Sequence, residues 1–258
     1  MSMYVGFNLI AGSYLTIVAY FKLRNLGYSL WAFLKLALGM VFAFFVGARM
    51  LYGLLYFEKI AQNPYKLIAF ELKNFALFGG LVLSSCVLGV FIKWNKNRLN
   101  LFQITDPMMP HFGIAVILSK LGCFFNGCCY GIPTQMPWGV VFERADQSVI
   151  NRMFGNTLIS SLLNNEAVVH RHPTQLYEVF FTLLAIGITV IILRRHKRLG
   201  YATAAFILTF TVGRWISFAL RDFPNASDLS NFIRGPLIYG SVIFLVLIGL
   251  YLSRNKVD

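Results

Sequence analysis

Seven apolar runs, each close to the roughly 20 residues a helix needs to cross a bilayer, dominate this chain and leave little room for any other kind of fold. They lie near residues 4–21, 31–57, 75–92, 104–126, 174–193, 201–220 and 236–252. The chain is 57% apolar and only 13% charged. A soluble domain carries about 25% charged residues, so this one has roughly half the charge needed to cover a watery surface. The expected fold class is an all-α integral membrane protein with seven transmembrane helices, forming a single transmembrane domain over residues 1–258. The fourth run is the most interrupted, by Asp106, Pro107, Pro110, His111 and Lys120. The first lacks a basic leading region and a small-x-small cleavage site, so it is expected to be a span and not a cleavable leader.

The formal net charge of +13 invites a nucleic-acid reading, but the positions of the cations argue against that partner. Lys22 and Arg24 follow the first run; Lys93, Lys96 and Arg98 follow the third. Arg194, Arg195, Lys197 and Arg198 follow the fifth, and Arg254 and Lys256 the last. With seven spans, all four sets fall on one side. The positive-inside rule then places the N-terminus outside and the C-terminus in the cytoplasm. A basic cytoplasmic rim facing anionic lipid accounts for the charge. The long connection 127–172 lies outside under this topology. Its Gly and Pro punctuation and its aromatic stretch (Trp138, Val140, Phe142) predict a small outer arm or lobe.

Ionisable residues inside spans are costly, by about 2.5–3.5 kcal/mol on insertion scales, and are functional suspects by default. Arg49 sits in the second run, Lys120 in the fourth, Glu178 in the fifth, and Arg214 in the sixth with Arg221 beyond it; Lys73 precedes the third. Lys73 and Arg221 lie near span ends, where snorkelling to the interface is an ordinary outcome. One glutamate is too little to neutralise Arg49, Lys120 and Arg214. The surplus predicts an outward-opening anion pocket, and a phospholipid headgroup is the abundant membrane anion that Arg grips through its phosphate.

Five segments in order carry a family resemblance. GARMLYGLLY (Gly47–Tyr56) is similar to a GGRLGYVLFY segment, and FGGL with the following helix and the D-x-x-x-P at Asp106 to an HGGL motif and its sequel. KLGCFFNGCCYGIPTQMPWG (Lys120–Gly139) resembles R-x-G-N-F-x-N-G-E-x-x-G-x-P-T-x-x-P-W-G. RHPTQLYE (Arg171–Glu178) matches almost letter for letter, and GRWISFALRDFP (Gly213–Pro224) resembles an R-x-x-x-E-x-x-R segment. Together they resemble the bacterial prolipoprotein diacylglyceryl transferases. The resemblance implies a multi-pass protein of the bacterial cytoplasmic (inner) membrane. It would move the diacylglyceryl group of phosphatidylglycerol to the lipobox cysteine of a prolipoprotein signal peptide and release glycerol phosphate, with no metal and no cofactor.

Carried over by motif, Arg214 clamps phosphate and Lys120 takes the place of the signature arginine, keeping the charge but not the bidentate fork. Asn126 and Gly127 supply the N-G turn. Glu178 orients a neighbouring cation or the HPTQ turn, and Arg49 and Arg221 complete the phospholipid-binding set. Tyr177 serves as well as an interfacial anchor. Four polar positions of the family pattern are lost here: its HGG histidine is Phe78, its asparagine before Phe is Cys123, its glutamate after N-G is Cys128, and its sixth-span glutamate is Phe218. His170 and His172 are then the available bases.

Two other readings stand beside the enzyme. The lost His and Glu suit a non-catalytic phospholipid-binding protein on the same scaffold. The cysteines suit a membrane thiol-redox or metal protein, although C-x4-C-C is a poor zinc pattern and a redox pair prefers C-x-x-C. A disulfide from Cys123 to Cys128 or Cys129 is a structural option, and Cys86 is expected to be small core packing.

Overall fold

The computed structural model describes residues 3–57, 61, 77–94, 100–142, 169–195, 198–222 and 233–254. Lys73 and most of the segment between the second and third apolar runs lie outside them, as do residues 143–168 of the long connection. The described chain is a set of helices: α1 (Met3–Asn25), α2 (Leu30–Leu55), α3 (Leu77–Trp94), α4 (Leu101–Phe125), α5 (Thr174–Arg195), α6 (Tyr201–Ala219) and α7 (Ile238–Arg254). A π-helical turn, Ile233–Leu237, leads into α7, and one two-stranded ribbon precedes α5. By length and composition five helices, α1, α2, α4, α5 and α6, suffice to cross a membrane; the apolar parts of α3 and α7 are shorter. Trp31, Leu54 and Trp94 are 74%, 75% and 81% exposed, an outer surface suited to lipid and not to water.

The fourth apolar run, interrupted in sequence, is one continuous helix that contains Pro107 and Pro110. Its acidic residue is what makes the interruption useful. Asp106 is buried and accepts hydrogen bonds from the backbone N–H of Gly200 (2.7 Å) and Thr203 (2.9 Å) and from the Thr203 hydroxyl (2.5 Å). Gly200, at φ 89°, precedes α6 and has no side chain to cap it. Asp106 therefore caps α6 from another helix, satisfying orphan N–H groups and setting a negative charge at the positive end of the helix dipole.

The described residues form two compact units. The first comprises Met1–Leu15, Asp106–Ala226 and Arg234–Asp258. Its apolar centre is Ala185, Phe206 and Phe210, packed by Met109, Phe112, Val116 and Ile186. Gly213 brings α6 hard against Phe181 of α5, where a Cβ would collide with the ring and its stem. Threonines buried along α5 cost little, because Thr182 and Thr189 return their hydroxyls to the carbonyls of Glu178 and Ala185, each at 2.6 Å.

The second unit comprises Thr16–Thr105 and Ser227–Ile233. Here Ser29 caps α2, accepting from the Ala32 N–H at 3.2 Å. Gly47 on α2 and Gly79 on α3 meet backbone to backbone, the small-residue contact that lets membrane helices approach closely. Ser84 adds a hydrogen bond to the Met40 carbonyl at 3.0 Å. Arg49 is half-buried on α2 in this unit. Cys86, expected in the core, is instead exposed on α3, so it contributes no internal packing.

Candidate active site

The site is built where the end of α4, the start of α5 and the end of α6 converge within the first unit. After α4 the chain must reverse sharply, and two successive left-handed positions do this: Gly127 at φ 62° and Cys129 at φ 66°. The reversal is held by the first turn of α5. The Gln175 amide donates to the Cys128 carbonyl and the Thr174 hydroxyl to the Cys129 carbonyl, both at 2.6 Å. Thr174 and Gln175 are 0% and 1% exposed, so these bonds are made away from water and fix the turn firmly.

Beyond the turn the expected outer arm begins as a ribbon, with Val140–Val141 (β1) antiparallel to His170–Arg171 (β2). Its backbone bonds include Gly131 N–H to the His172 carbonyl (2.8 Å) and Thr134 N–H to the His170 carbonyl (2.8 Å). Gly131 passes so close to the Leu220 carbonyl, His172 and Thr174 that a Cβ has no place. Here the backbone of the signature segment bonds to the chain leaving α6, with Ile132 N–H donating to the Leu220 carbonyl at 2.9 Å.

Glu178 lies one helical turn into α5 and is 5% exposed. Its Oε2 accepts from Lys120 Nζ of α4 and from Arg214 Nη1 of α6, each at 2.8 Å. Three of the ionisable residues expected from the spans thus meet at one carboxylate oxygen. Arg214 also lies over the Phe210 ring at 5.8 Å, and the Tyr239 hydroxyl of α7 is among the groups that act on its charge. Phe218, where the family pattern has a glutamate, packs edge-on against Tyr239 with ring centroids 5.9 Å apart. The aromatic pair thus stands beside the arginine in place of a second carboxylate. Two cations on one carboxylate leave a net positive cluster.

A second ion pair lies at the ribbon. Arg171, 1% exposed, donates from Nη1 to Asp222 Oδ2 at 3.1 Å and to the Gly131 carbonyl at 3.2 Å, and covers the Tyr130 ring at 5.0 Å. Arg171, Asp222, Thr174, Gln175 and Tyr239 were not singled out by charge or spacing. The first four stand in the near-literal segment RHPTQLYE and in GRWISFALRDFP, which resembles its counterpart more loosely; nothing in the sequence marks Tyr239.

The two histidines sit at the ribbon. His172 Nδ1 meets the Tyr177 hydroxyl at 2.9 Å, and the same hydroxyl accepts from Trp138 Nε1 at 2.8 Å. His170 is exposed, with Nδ1 3.1 Å from the Gly139 carbonyl, which makes Nδ1 the protonated nitrogen. Among the described residues the two histidine rings hydrogen-bond the Gly139 carbonyl and the Tyr177 hydroxyl, and not the Lys120–Glu178–Arg214 cluster. Asn126 and Gly127 close the end of α4, their N–H groups donating to the Gly122 carbonyl at 3.1 Å and the Phe124 carbonyl at 3.0 Å, and Gly127 makes the turn. Arg221 pairs through its backbone with Gly131 and its charge acts on Cys129. Arg49 belongs to the other unit. Phe78 lies on α3.

The cysteine sulfurs of residues 123, 128 and 129 all lie within 4.8 Å of one another, and all are free thiols. Hydrogen bonds from Cys123 and then Cys128, followed by the charges of Arg221 and Lys120, hold the Cys129 thiol well below its ordinary range. The sequence spacing concealed this convergence, because it depends on the left-handed turn at Cys129.

A helical membrane chain with a buried carboxylate bridging two cations, beside a tight turn and a two-stranded ribbon, defines a polytopic membrane protein with a net positive cluster among its helices. The chain belongs to the prolipoprotein diacylglyceryl transferase family, whose profile matches residues 3–254. It is 28% identical over 189 residues to the phosphatidylglycerol–prolipoprotein diacylglyceryl transferase of Clostridium tetani (strain Massachusetts / E88), covering 72% of this chain and 68% of that relative. It is 24% identical over 212 residues to the protein of that name from Pectobacterium carotovorum subsp. carotovorum (strain PC1), covering 78% and 73%. To the one from Chlamydia muridarum (strain MoPn / Nigg) it is 30% identical over 174 residues, covering 66% and 56%.

Proposed function

We propose that this protein transfers the diacylglyceryl group of phosphatidylglycerol to the lipobox cysteine thiol of prolipoproteins and releases glycerol phosphate. The observation that carries the reading is the single Glu178 oxygen shared by Lys120 and Arg214 at 2.8 Å, in a chain matched by the family over residues 3–254. In this reaction a sulfur–carbon bond forms at the glyceryl carbon while the carbon–oxygen bond to phosphate breaks. The electron pair leaves on the phosphate oxygen, so positive charge fixed beside that oxygen lowers the barrier. Arg214 is the phosphate clamp, with Lys120 and Arg221 as its neighbours and Arg49 as a further headgroup contact. Glu178 is a positioning residue: it holds both cations in place and does not touch the reacting atoms.

Asn126 and Gly127 present backbone to the headgroup, and the acceptor thiol must lose a proton to become the nucleophile. His172 or His170 is the proposed base, reached from the ribbon side. Seven spans, an outer N-terminus, a cytoplasmic C-terminus and an outer arm over 127–172 place the ribbon on the side where exported precursors emerge. Residence in the bacterial inner membrane follows from the same topology, and nucleic acid has no role in it.

The test is mass spectrometry of a lipobox peptide incubated with the purified protein and phosphatidylglycerol in mixed micelles. A diacylglyceryl adduct on cysteine, lost in R214A, is the expected result. Lipid binding by a folded protein with no adduct overturns the reading and leaves a binding protein on the transferase scaffold.

A further inference from the structure

The three clustered cysteines play no part in the reaction proposed above, yet they are not randomly placed. Cys123 lies in the last turn of α4 and is 5% exposed. Cys128 and Cys129 are adjacent, and adjacent side chains of an extended chain point to opposite sides. Here the left-handed backbone at Cys129 (φ 66°) accompanies a turn that brings both sulfurs to Cys123. A non-glycine residue in that region costs about 1–3 kcal/mol and persists only when its surroundings over-determine it. Those surroundings are the Thr174 and Gln175 hydrogen bonds to the two cysteine carbonyls, both at 2.6 Å. The three thiols are therefore held together by backbone restraints from another helix, independently of any bond between the sulfurs.

We propose that Cys123, Cys128 and Cys129 form a three-thiolate site for one soft monovalent cation of the Cu(I) type. The geometry is nearly right without rearrangement. Metal–thiolate distances of about 2.3 Å place three sulfurs around one ion about 4 Å apart. With all three within 4.8 Å of one another, each need move inward by no more than about half an ångström. Ligand number selects the ion. No histidine or carboxylate joins the three sulfurs among the described residues, whereas structural zinc takes four ligands. Soft thiolates without nitrogen or oxygen partners suit Cu(I). Three thiolates around a monovalent ion carry net negative charge, and the Lys120 and Arg221 charges that act on Cys129 offset it.

The test is anaerobic titration of the reduced, metal-stripped full chain in detergent with Cu(I), in competition with a chromogenic Cu(I) chelator. One copper per chain and an X-ray absorption spectrum with sulfur neighbours only are expected. C123S, C128S and C129S should each weaken retention by roughly tenfold or more. C86S should leave it unchanged, because Cys86 is exposed on α3. In case a serine variant folds poorly, thiols of the folded wild type are blocked with a reversible methanethiosulfonate; copper retention should vanish and return on reduction. Retention that survives the block, that depends on Cys86, or that is absent from the reduced protein overturns the proposal. So does a reduced chain that retains four-coordinate zinc in preference to Cu(I).

Discussion

Replacing Glu178 by glutamine keeps the shape of the side chain and removes the charge that Lys120 and Arg214 share. Each cation nitrogen lies 2.8 Å from the same oxygen, so the two sit within twice that distance of one another. At about 5 Å and an effective dielectric constant near 20, two like charges repel by about 3 kcal/mol. The partners are 12% exposed and the carboxylate 5%, so water screens the pair only weakly. Removing one partner of a buried pair typically costs about 3–5 kcal/mol, in agreement with that figure. At about 2–4 °C per kcal/mol for a chain of this size, E178Q should lower the thermal unfolding midpoint in detergent by about 6–12 °C. The decisive measurement is the cycle with K120M. Taking away Lys120 as well removes the repulsion, so K120M/E178Q should be more stable than E178Q alone by about 2 kcal/mol. A double variant whose loss equals the sum of the two single losses would refute the shared-carboxylate account. So would an E178Q midpoint within about 1 °C of wild type.

R214A should lower transferase turnover by about 100-fold or more, and R214K should keep the wild-type midpoint yet lose about tenfold, as measured by lipobox-peptide labelling. K120R should retain the ion pair and match or exceed wild-type labelling, whereas K120M should fall well below it. D106A leaves the Gly200 and Thr203 N–H groups without their acceptor and should cost about 2–3 kcal/mol, read as a lower midpoint with unchanged turnover per folded molecule. G131A sets a methyl group against the Leu220 carbonyl, which is backbone and has nowhere to go; amide exchange along Gly131–Thr134 should quicken markedly.

Composition and apolar runs were enough to read a helical membrane protein, because the cost of placing charge in lipid acts on every residue of a span and leaves a pattern. The same cost made Lys120, Glu178 and Arg214 conspicuous, and the structure joins these three. What the pattern does not carry is partnership between distant segments. Asp106 reads as a defect in the fourth run, yet it caps α6 across 94 residues of sequence. Arg171 and Asp222 read as a loop cation and a loop acid; their bond at 3.1 Å exists only once the ribbon and the end of α6 are side by side. Cys86 reads as core because small apolar residues in a helix usually are, but a membrane helix exposes apolar residues to lipid at no cost. The thiol cluster is hidden by spacing, since C-x4-C-C becomes compact only through a left-handed residue that no propensity favours at cysteine.

Three of the four polar positions lost relative to the family pattern, Cys123, Cys128 and Phe218, fall in one compact unit. Phe218 packs edge-on against Tyr239, whose hydroxyl acts on Arg214, so the place of a carboxylate is taken by an aromatic pair with a neutral oxygen from another helix. Cys123 and Cys128 are two of the three sulfurs in the cluster beside Lys120. Phe78 lies on α3, in the other compact unit. Two of the changes therefore alter the electrostatics around the cations in one direction: fixed carboxylate charge or amide dipoles give way to thiols, whose charge depends on what they bind. The free thiols of Cys123 and Cys128 carry no fixed charge and become thiolates only when a proton leaves or a soft ion arrives. Three thiolates on one monovalent ion add negative charge beside Lys120 and Arg221 while Arg214 and Glu178 keep theirs, so copper loading should weaken phosphate affinity in the wild type and leave it unchanged in C129S, read by phosphate competition with and without Cu(I).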